Sequence, residues 1–179
     1  MQEYFNKAQI VDKEGQTRPL VAKEEKIVIT GKTPADFVSR GITPMQSASL
    51  LLILVAGISI YGIRRGKTLW GIDLILFLVA GMAGCILAFL ALFSQHPAVS
   101  PNYILFVFHP FHLFCLPFML SRVRKREISR YMLVNFAVLT LFIGLWTIIP
   151  QRIPPAVLPL ALCLLIRSAS NLILTYKRK

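Results

Sequence analysis

Five apolar runs of roughly membrane-spanning length cover most of this chain, at about residues 47–63, 72–93, 103–121, 131–149 and 156–176. At about 1.5 Å of rise per helical residue, a run near 20 residues crosses the roughly 30 Å hydrocarbon core of a bilayer. A soluble helical bundle shows polar faces along its helices, and these runs show almost none. The composition agrees, with 55% hydrophobic residues and a mean hydropathy of +0.63. The expected fold is an all-α membrane protein, a five-helix transmembrane bundle over residues 47–179.

The net charge of +12 raises nucleic acid as a partner, but the placement of the charge argues against it. Arg64, Arg65 and Lys67 sit between the first two runs, and Arg122, Arg124, Lys125, Arg126 and Arg130 between the third and fourth. Lys177, Arg178 and Lys179 close the chain, whereas the connection 94–102 has no charge and 150–155 carries only Arg152. Basic loops mark the cytoplasmic side, so five spans put the C-terminus inside and the N-terminus outside. The basic excess is a topology signal that also suits anionic lipid headgroups.

Residues 1–46 are of another kind, with seven basic and six acidic side chains in near balance. KAQIVDKEGQTRPLV reads as strand, turn and strand, with Glu14-Gly15 at the turn, and EEKIVIT as a further strand. Residues 32–44 read as a Pro/Gly-punctuated linker. Two or three strands are too few to fold alone, and 2–43 offers no hydrophobic segment of the signal-peptide kind. The expectation is an extracytoplasmic β-rich remnant, the last piece of a larger domain, the alternative being a small N-out protein whose short, weakly charged head crosses the membrane with the first span.

Cys85, Cys115 and Cys163 fall one to a run without CxxC pairing and read as small packing residues. Ala80, Gly84 and Ala88, with Gly81 beside them, form a small-residue stripe that lets another helix approach closely. Gly57 and Gly144 read the same way, and Pro159 is placed to bend the fifth helix. Trp70 and Tyr176 suit the cytoplasmic interface, Trp146 and Tyr103 the outer one.

Polar residues at membrane depth are few. Asp73 begins the second helix, where an acid favours the dipole, and Asn135 lies about one turn into the fourth. Arg167 stands nine residues, about 13 Å, from the end of its helix and must snorkel or find a partner. Asp73 and Asn135 are the obvious partners on that side, although Asp73 looks shallower. Ser168, Ser170 and Asn171 extend a polar stripe that should face the bundle interior. Asp73, Asn135 and Arg167 therefore read as an intramembrane polar network, with a substrate or headgroup contact as the other reading.

All three histidines lie in FSQHPAVSPNYILFVFHPFHL, residues 93–113. His109-Pro110 interrupts the third run about two turns in, because proline removes a backbone hydrogen bond and disfavours helix at the residue before it. The third span is expected to bend or re-enter near His109, opening a polar notch below the outer surface. His112, three residues on, falls on the same face. Ser94, His96, Asn102, His109 and His112 are the candidate lipid- or substrate-facing residues. A metal or haem ligand set is permissible from His-x-x-His with His96, but no carboxylate or thiolate accompanies it on that side. General acid-base chemistry would have only Ser94, Ser100 and Tyr103 nearby, with no acid to orient an imidazole. The expectation is no catalytic residue within the chain, no metal and no cofactor. Interfacial histidines bonding lipid headgroups, and a site completed by another domain, stay open.

FSQHPAVSPN followed by HP in the next helix, within five spans behind a β-rich tail, resembles the C-terminal membrane domain of Lnb-type lipoprotein N-acyltransferases of Bacteroidota. Ser94, His96, Pro97, Asn102 and Pro110 match that pattern, and the similarity extends over essentially the whole chain. His109 departs from it, since asparagine more often precedes that proline. The resemblance implies an enzyme that adds an acyl chain to the α-amino group of a lipoprotein's N-terminal cysteine. Its catalytic cysteine and histidine would lie in a periplasmic domain, and Cys85, Cys115 and Cys163 match no part of that. The implied role is an inner-membrane anchor and lipid platform that holds a diacylated lipoprotein or phospholipid donor in the outer leaflet, with His96, Asn102 and His109 beside the reaction. A non-catalytic membrane scaffold and a His-liganded metal or haem subunit are the alternatives.

Overall fold

The computed structural model describes residues 9–11, 16–19, 41–93 and 102–177. The chain falls into two units, Met1–Gly41 and Ile42–Lys179. In the first, β1 (Gln9–Val11) and β2 (Thr17–Pro19) pair antiparallel, with Ile10 opposite Arg18. The Glu14-Gly15 turn and the strand expected in EEKIVIT lie outside the described residues.

The second unit is helical. Its first helix, α1 (Pro44–Arg65), begins with a capping box. The Thr43 hydroxyl accepts from the Gln46 amide at 3.2 Å, and the Gln46 side chain accepts from the Thr43 amide at 2.9 Å. These bonds satisfy two amides that have no partner within the helix. Pro44 stands at the first helical position, where its missing N–H costs nothing. The helix therefore starts ahead of the apolar run. It stops at Gly66, which takes the left-handed conformation (φ 60°) that glycine adopts without a Cβ clash.

Three residues later α2 (Trp70–Phe93) returns across the unit. The third span is in pieces: a 3₁₀ turn at Tyr103–Phe106, then α3 (Phe111–Phe114) and α4 (Leu116–Lys125). α5 (Arg130–Gly144) and α6 (Val157–Tyr176) complete the order. Among the described residues α1, α2 and α6 are long and apolar enough to cross a membrane, and the broken third span crosses if its parts are taken together. This is a multi-pass membrane domain.

Two of the five expected spans differ from continuous helices. α5 is regular for 15 residues, about 22 Å, and residues 145–148 continue it only as turns. Gly144 and Pro150 frame that stretch, and proline disfavours helix at Ile149. The third span bends by 78°, and the bend falls at Cys115 rather than at His109. Pro110 sits at the start of α3 and Pro117 in the first turn of α4. Each proline thus opens a new helix, and the sharper corner belongs to the second.

The helices pack as two layers that share the third span's turn. α6 lies along α1 on one side and α5 on the other, while α2 packs on α3 and α4. The apolar window of α6 is 56% buried, against 22% for α1 and α2, which makes α6 the central helix. On α2, Ile75, Val79, Met82, Ile86 and Phe89 are exposed at three- and four-residue spacing, a stripe suited to lipid tails. Phe77, Val107, Met119, Met132, Leu139 and Ala161 form the centre of the core.

The small-residue stripe of α2 is where the broken span comes closest. A Cβ at Gly84 would stand 2.5 Å from the His109 carbonyl carbon, and one at Gly81 would stand 2.7 Å from the Leu113 amide. Gly57 and Gly144 differ from the expectation: a Cβ at either meets nothing within 4 Å, so neither admits a neighbour among the described residues. Pro159 occupies the first turn of α6, where a missing amide hydrogen bond breaks nothing.

The basic loops meet at one end. The Arg126 guanidinium donates to the Gly66 carbonyl, and Arg124 lies over the Trp70 ring at 4.8 Å. At the opposite end the Tyr103 amide donates to Gln151 Oε1 at 2.7 Å, joining the start of the third span to the loop before α6.

Candidate functional site

Two polar centres lie inside the helical unit. In the first, Arg167 and Asp73 are 1% and 0% exposed, and they form a forked ion pair. Arg167 Nε donates to Asp73 Oδ1 at 2.7 Å and Nη2 to Oδ2 at 2.9 Å. Nη1 donates to Ser59 Oγ at 3.1 Å, and Asn171 Nδ2 to Asp73 Oδ2 at 3.0 Å. The planar guanidinium fork matches the carboxylate, so both charges are met in a place without water. Asp73 stands three residues from the basic end of α2 and Arg167 nine from that of α6, and the long guanidinium stem spans the difference in depth. Asn135 is not among its partners. Its Nδ2 donates instead to Ser168 Oγ at 2.9 Å. This centre ties α1, α2 and α6 together, and its acid and base are engaged with each other.

The second centre is the break in the third span. His112 is fully buried. Its Nε2 lies 2.9 Å from the Val107 carbonyl and its Nδ1 2.6 Å from the Tyr131 hydroxyl. A carbonyl only accepts, so Nε2 carries the proton; in the neutral ring Nδ1 then accepts from Tyr131. The ring of His109 stacks on that of His112, with centroids 3.9 Å apart and planes 17° apart. Phe77 meets His112 edge-on at 5.2 Å. His109 Nδ1 is buried without a hydrogen-bond partner among the described residues, as is Asn135 Oδ1. Both residues line a groove of about 640 Å³ between the third span and α5, with Tyr131 and Arg130.

Of the residues read as lipid- or substrate-facing, the structure brings His109 and His112 together. Ser94 and His96 lie outside the described residues. Asn102 caps the 3₁₀ turn, its Oδ1 accepting from the Ile104 amide at 3.1 Å. His109 borders a groove, and His112 faces the interior because both of its nitrogens are bonded there. Among the described residues no three His, Cys, Asp or Glu side chains converge to hold a metal ion. Tyr131, Ser59 and Gln151 escape the sequence reading. Ser59 lies six residues from the end of α1, a depth comparable to Asp73, which is the one signal available for it. A tyrosine directly after Arg130 reads as an interface residue, and nothing local shows that it reaches a histidine on another span.

A second groove is apolar. About 610 Å³ in volume, it is lined by Leu51 of α1, Ala83 and Leu87 of α2, Ile104 and Phe108 of the third span, and Leu160 of α6, among others. Its lining on α2 runs from Ile75 to Leu87, so the groove extends through the middle of the unit and reaches Leu51, Ile104 and Leu160, which stand near the starts of spans whose far ends are basic.

Residues 36–179 match the family described as the Lnb transmembrane domain. No curated protein and no solved structure matches the chain.

Proposed function

The chain belongs to the Lnb transmembrane-domain family, and from that premise we propose that it is an inner-membrane anchor and lipid platform for a periplasmic catalytic domain. The helical unit holds an acyl chain of a phospholipid or diacylated lipoprotein in the outer leaflet. The catalytic domain then transfers an acyl group to the lipoprotein's terminal amine. Among the described residues, the buried acid Asp73 is engaged by Arg167 and His112 is bonded at both nitrogens, so neither is assigned to the chemistry. The basic loops mark the cytoplasmic side.

The observation that carries this reading is the apolar groove walled by α2 and the start of the third span, which reaches from the middle of the unit into the half away from the basic loops. Concave apolar surface suits an acyl chain. The small residues Ala80 and Ala83 keep its floor open.

A phospholipid with a photoactivatable acyl chain, in vesicles holding the full chain, tests it. Label is expected on α2 around residues 79–87 and on residues 104–108. Ala83→Phe, which fills the groove, should remove that label while other lipid-facing sites keep theirs. Label spread evenly over all exposed apolar faces, or unchanged by Ala83→Phe, would refute the groove.

A further inference from the structure

One face of α4 changes character along its length. Pro117, Leu120, Ser121, Arg124 and Lys125 follow at spacings of three, four, seven and eight residues, which places them together on the helix surface. They line a cleft of about 570 Å³ whose other wall is Trp70, the first residue of α2. From the membrane interior toward the basic end the order is apolar, hydroxyl, cationic, within about 12 Å of helix rise. A phospholipid of the adjoining leaflet has the same order: chains, glycerol, phosphate.

Charge and geometry favour an anion there. Two acids occur after residue 46, Asp73 and Glu127. Arg167 holds the first within the bundle, and Arg122 holds the second at 2.6 Å. Among the described residues no acid lines the cleft. The Arg124 guanidinium lies 4.8 Å from the centre of the Trp70 ring, a cation–π contact that holds a flexible side chain across the opening. Trp70 is itself a residue type enriched at headgroup depth.

We propose that this cleft binds the headgroup of an anionic phospholipid. The phosphodiester lies at Arg124 and Lys125, the glycerol at Ser121, and the first chain carbons against Leu120 and Pro117. The site shares no lining residue with the apolar groove and stands whether or not that groove has its assigned role.

The full chain, purified in a neutral detergent at 0.15 M salt, is titrated with phosphatidylglycerol, phosphatidylcholine or inorganic phosphate, with bound lipid counted by native mass spectrometry. At that ionic strength exposed charges more than about 8 Å from the ligand are largely screened. Phosphatidylglycerol should bind at one site, at least about tenfold more tightly than phosphatidylcholine, and millimolar phosphate should not displace it. Each cation near a headgroup accounts for about fivefold in affinity, so Arg124→Gln with Lys125→Gln should weaken phosphatidylglycerol about 30-fold. Ser121→Leu, which occludes the glycerol position and removes no charge, should also weaken it. Arg64→Gln with Arg65→Gln, at the same end but outside the cleft, should leave it within about threefold. Three results overturn the proposal: equal affinity for phosphatidylcholine, displacement by phosphate, or an Arg64/Arg65 loss as large as the Arg124/Lys125 loss. If the Arg124/Lys125 variant does not fold, an Ser121→Leu protein that binds like the parent overturns it alone.

Discussion

Replacing Asp73 by Asn keeps the shape of the side chain and removes its charge from the centre that joins α1, α2 and α6. Three donors converge on the carboxylate: Arg167 Nε at 2.7 Å, Arg167 Nη2 at 2.9 Å and Asn171 Nδ2 at 3.0 Å. An asparagine offers one oxygen, so its NH₂ would face at least one of these donors, and the Arg167 charge would stay buried without a counter-ion. Removing one partner of a buried ion pair costs about 3–5 kcal/mol, because the remaining charge is uncompensated. An ordinary hydrogen bond between membrane helices is worth about 0.6 kcal/mol. The two figures differ by enough to separate the explanations. Unfolding of the purified chain, titrated with a denaturing detergent, should place Asp73→Asn at least about 3 kcal/mol below the parent. Asp73→Leu combined with Arg167→Leu removes both charges, and it should recover most of that loss, since a buried pair replaced by apolar side chains is often neutral. A loss under about 1 kcal/mol for Asp73→Asn, or no recovery in the double variant, would mean that the arginine finds water or headgroups, and the reasoning would fail.

The glycines give a second prediction in the same assay. Gly84→Ala should cost about 1–3 kcal/mol, because its Cβ would meet the His109 backbone, which cannot swing aside. Gly57→Ala and Gly144→Ala should be neutral or stabilise by up to about 1 kcal/mol, since the new methyl meets open space and alanine favours helix; equal losses at all three sites would refute the packing assignment. The topology gives a third, in a background without the native cysteines. Arg152→Cys should react with a membrane-impermeant thiol reagent in intact spheroplasts and Lys67→Cys only after lysis, both positions being exposed. The reverse pattern would invert the orientation.

Apolar length is a property of the chain alone, so the membrane class and the number of runs are legible without a structure. Partner choice is not. The expense of burying Arg167 requires a counter-ion, and the sequence narrows the acids on that side to Asp73. What it cannot weigh is reach: a guanidinium on a long stem finds an acid nearer the basic end, while Asn135 turns to Ser168. Glycines show the same limit. Gly84 and Gly57 sit in similar apolar runs, yet one touches the backbone of another span and the other touches nothing. The difference lies in which helices pair, and α2 pairs with the broken span while α1 pairs with α6.

The break itself is half legible. Two prolines, Pro110 and Pro117, stand in the third run, and each removes a helical hydrogen bond. The sequence marks both and does not say which one carries the turn. Packing decides it. His109 is pressed against Gly84, and His112 is fixed by Val107 and Tyr131, so the stretch around Pro110 is held from two sides. Only Cys115, beyond those contacts, is left to turn the chain into α4. The same contacts set the depth of the histidines. Gly84 lies nine residues from Phe93, about 13 Å along α2 from that end. The His109 backbone packed on it is therefore near the middle of the span, not at a shallow notch. A polar pair at that depth, with Nδ1 of His109 lacking a partner among the described residues, lies level with the apolar groove, whose lining on α2 runs from Ile75 to Leu87. The stacked histidines hold the break from inside the bundle.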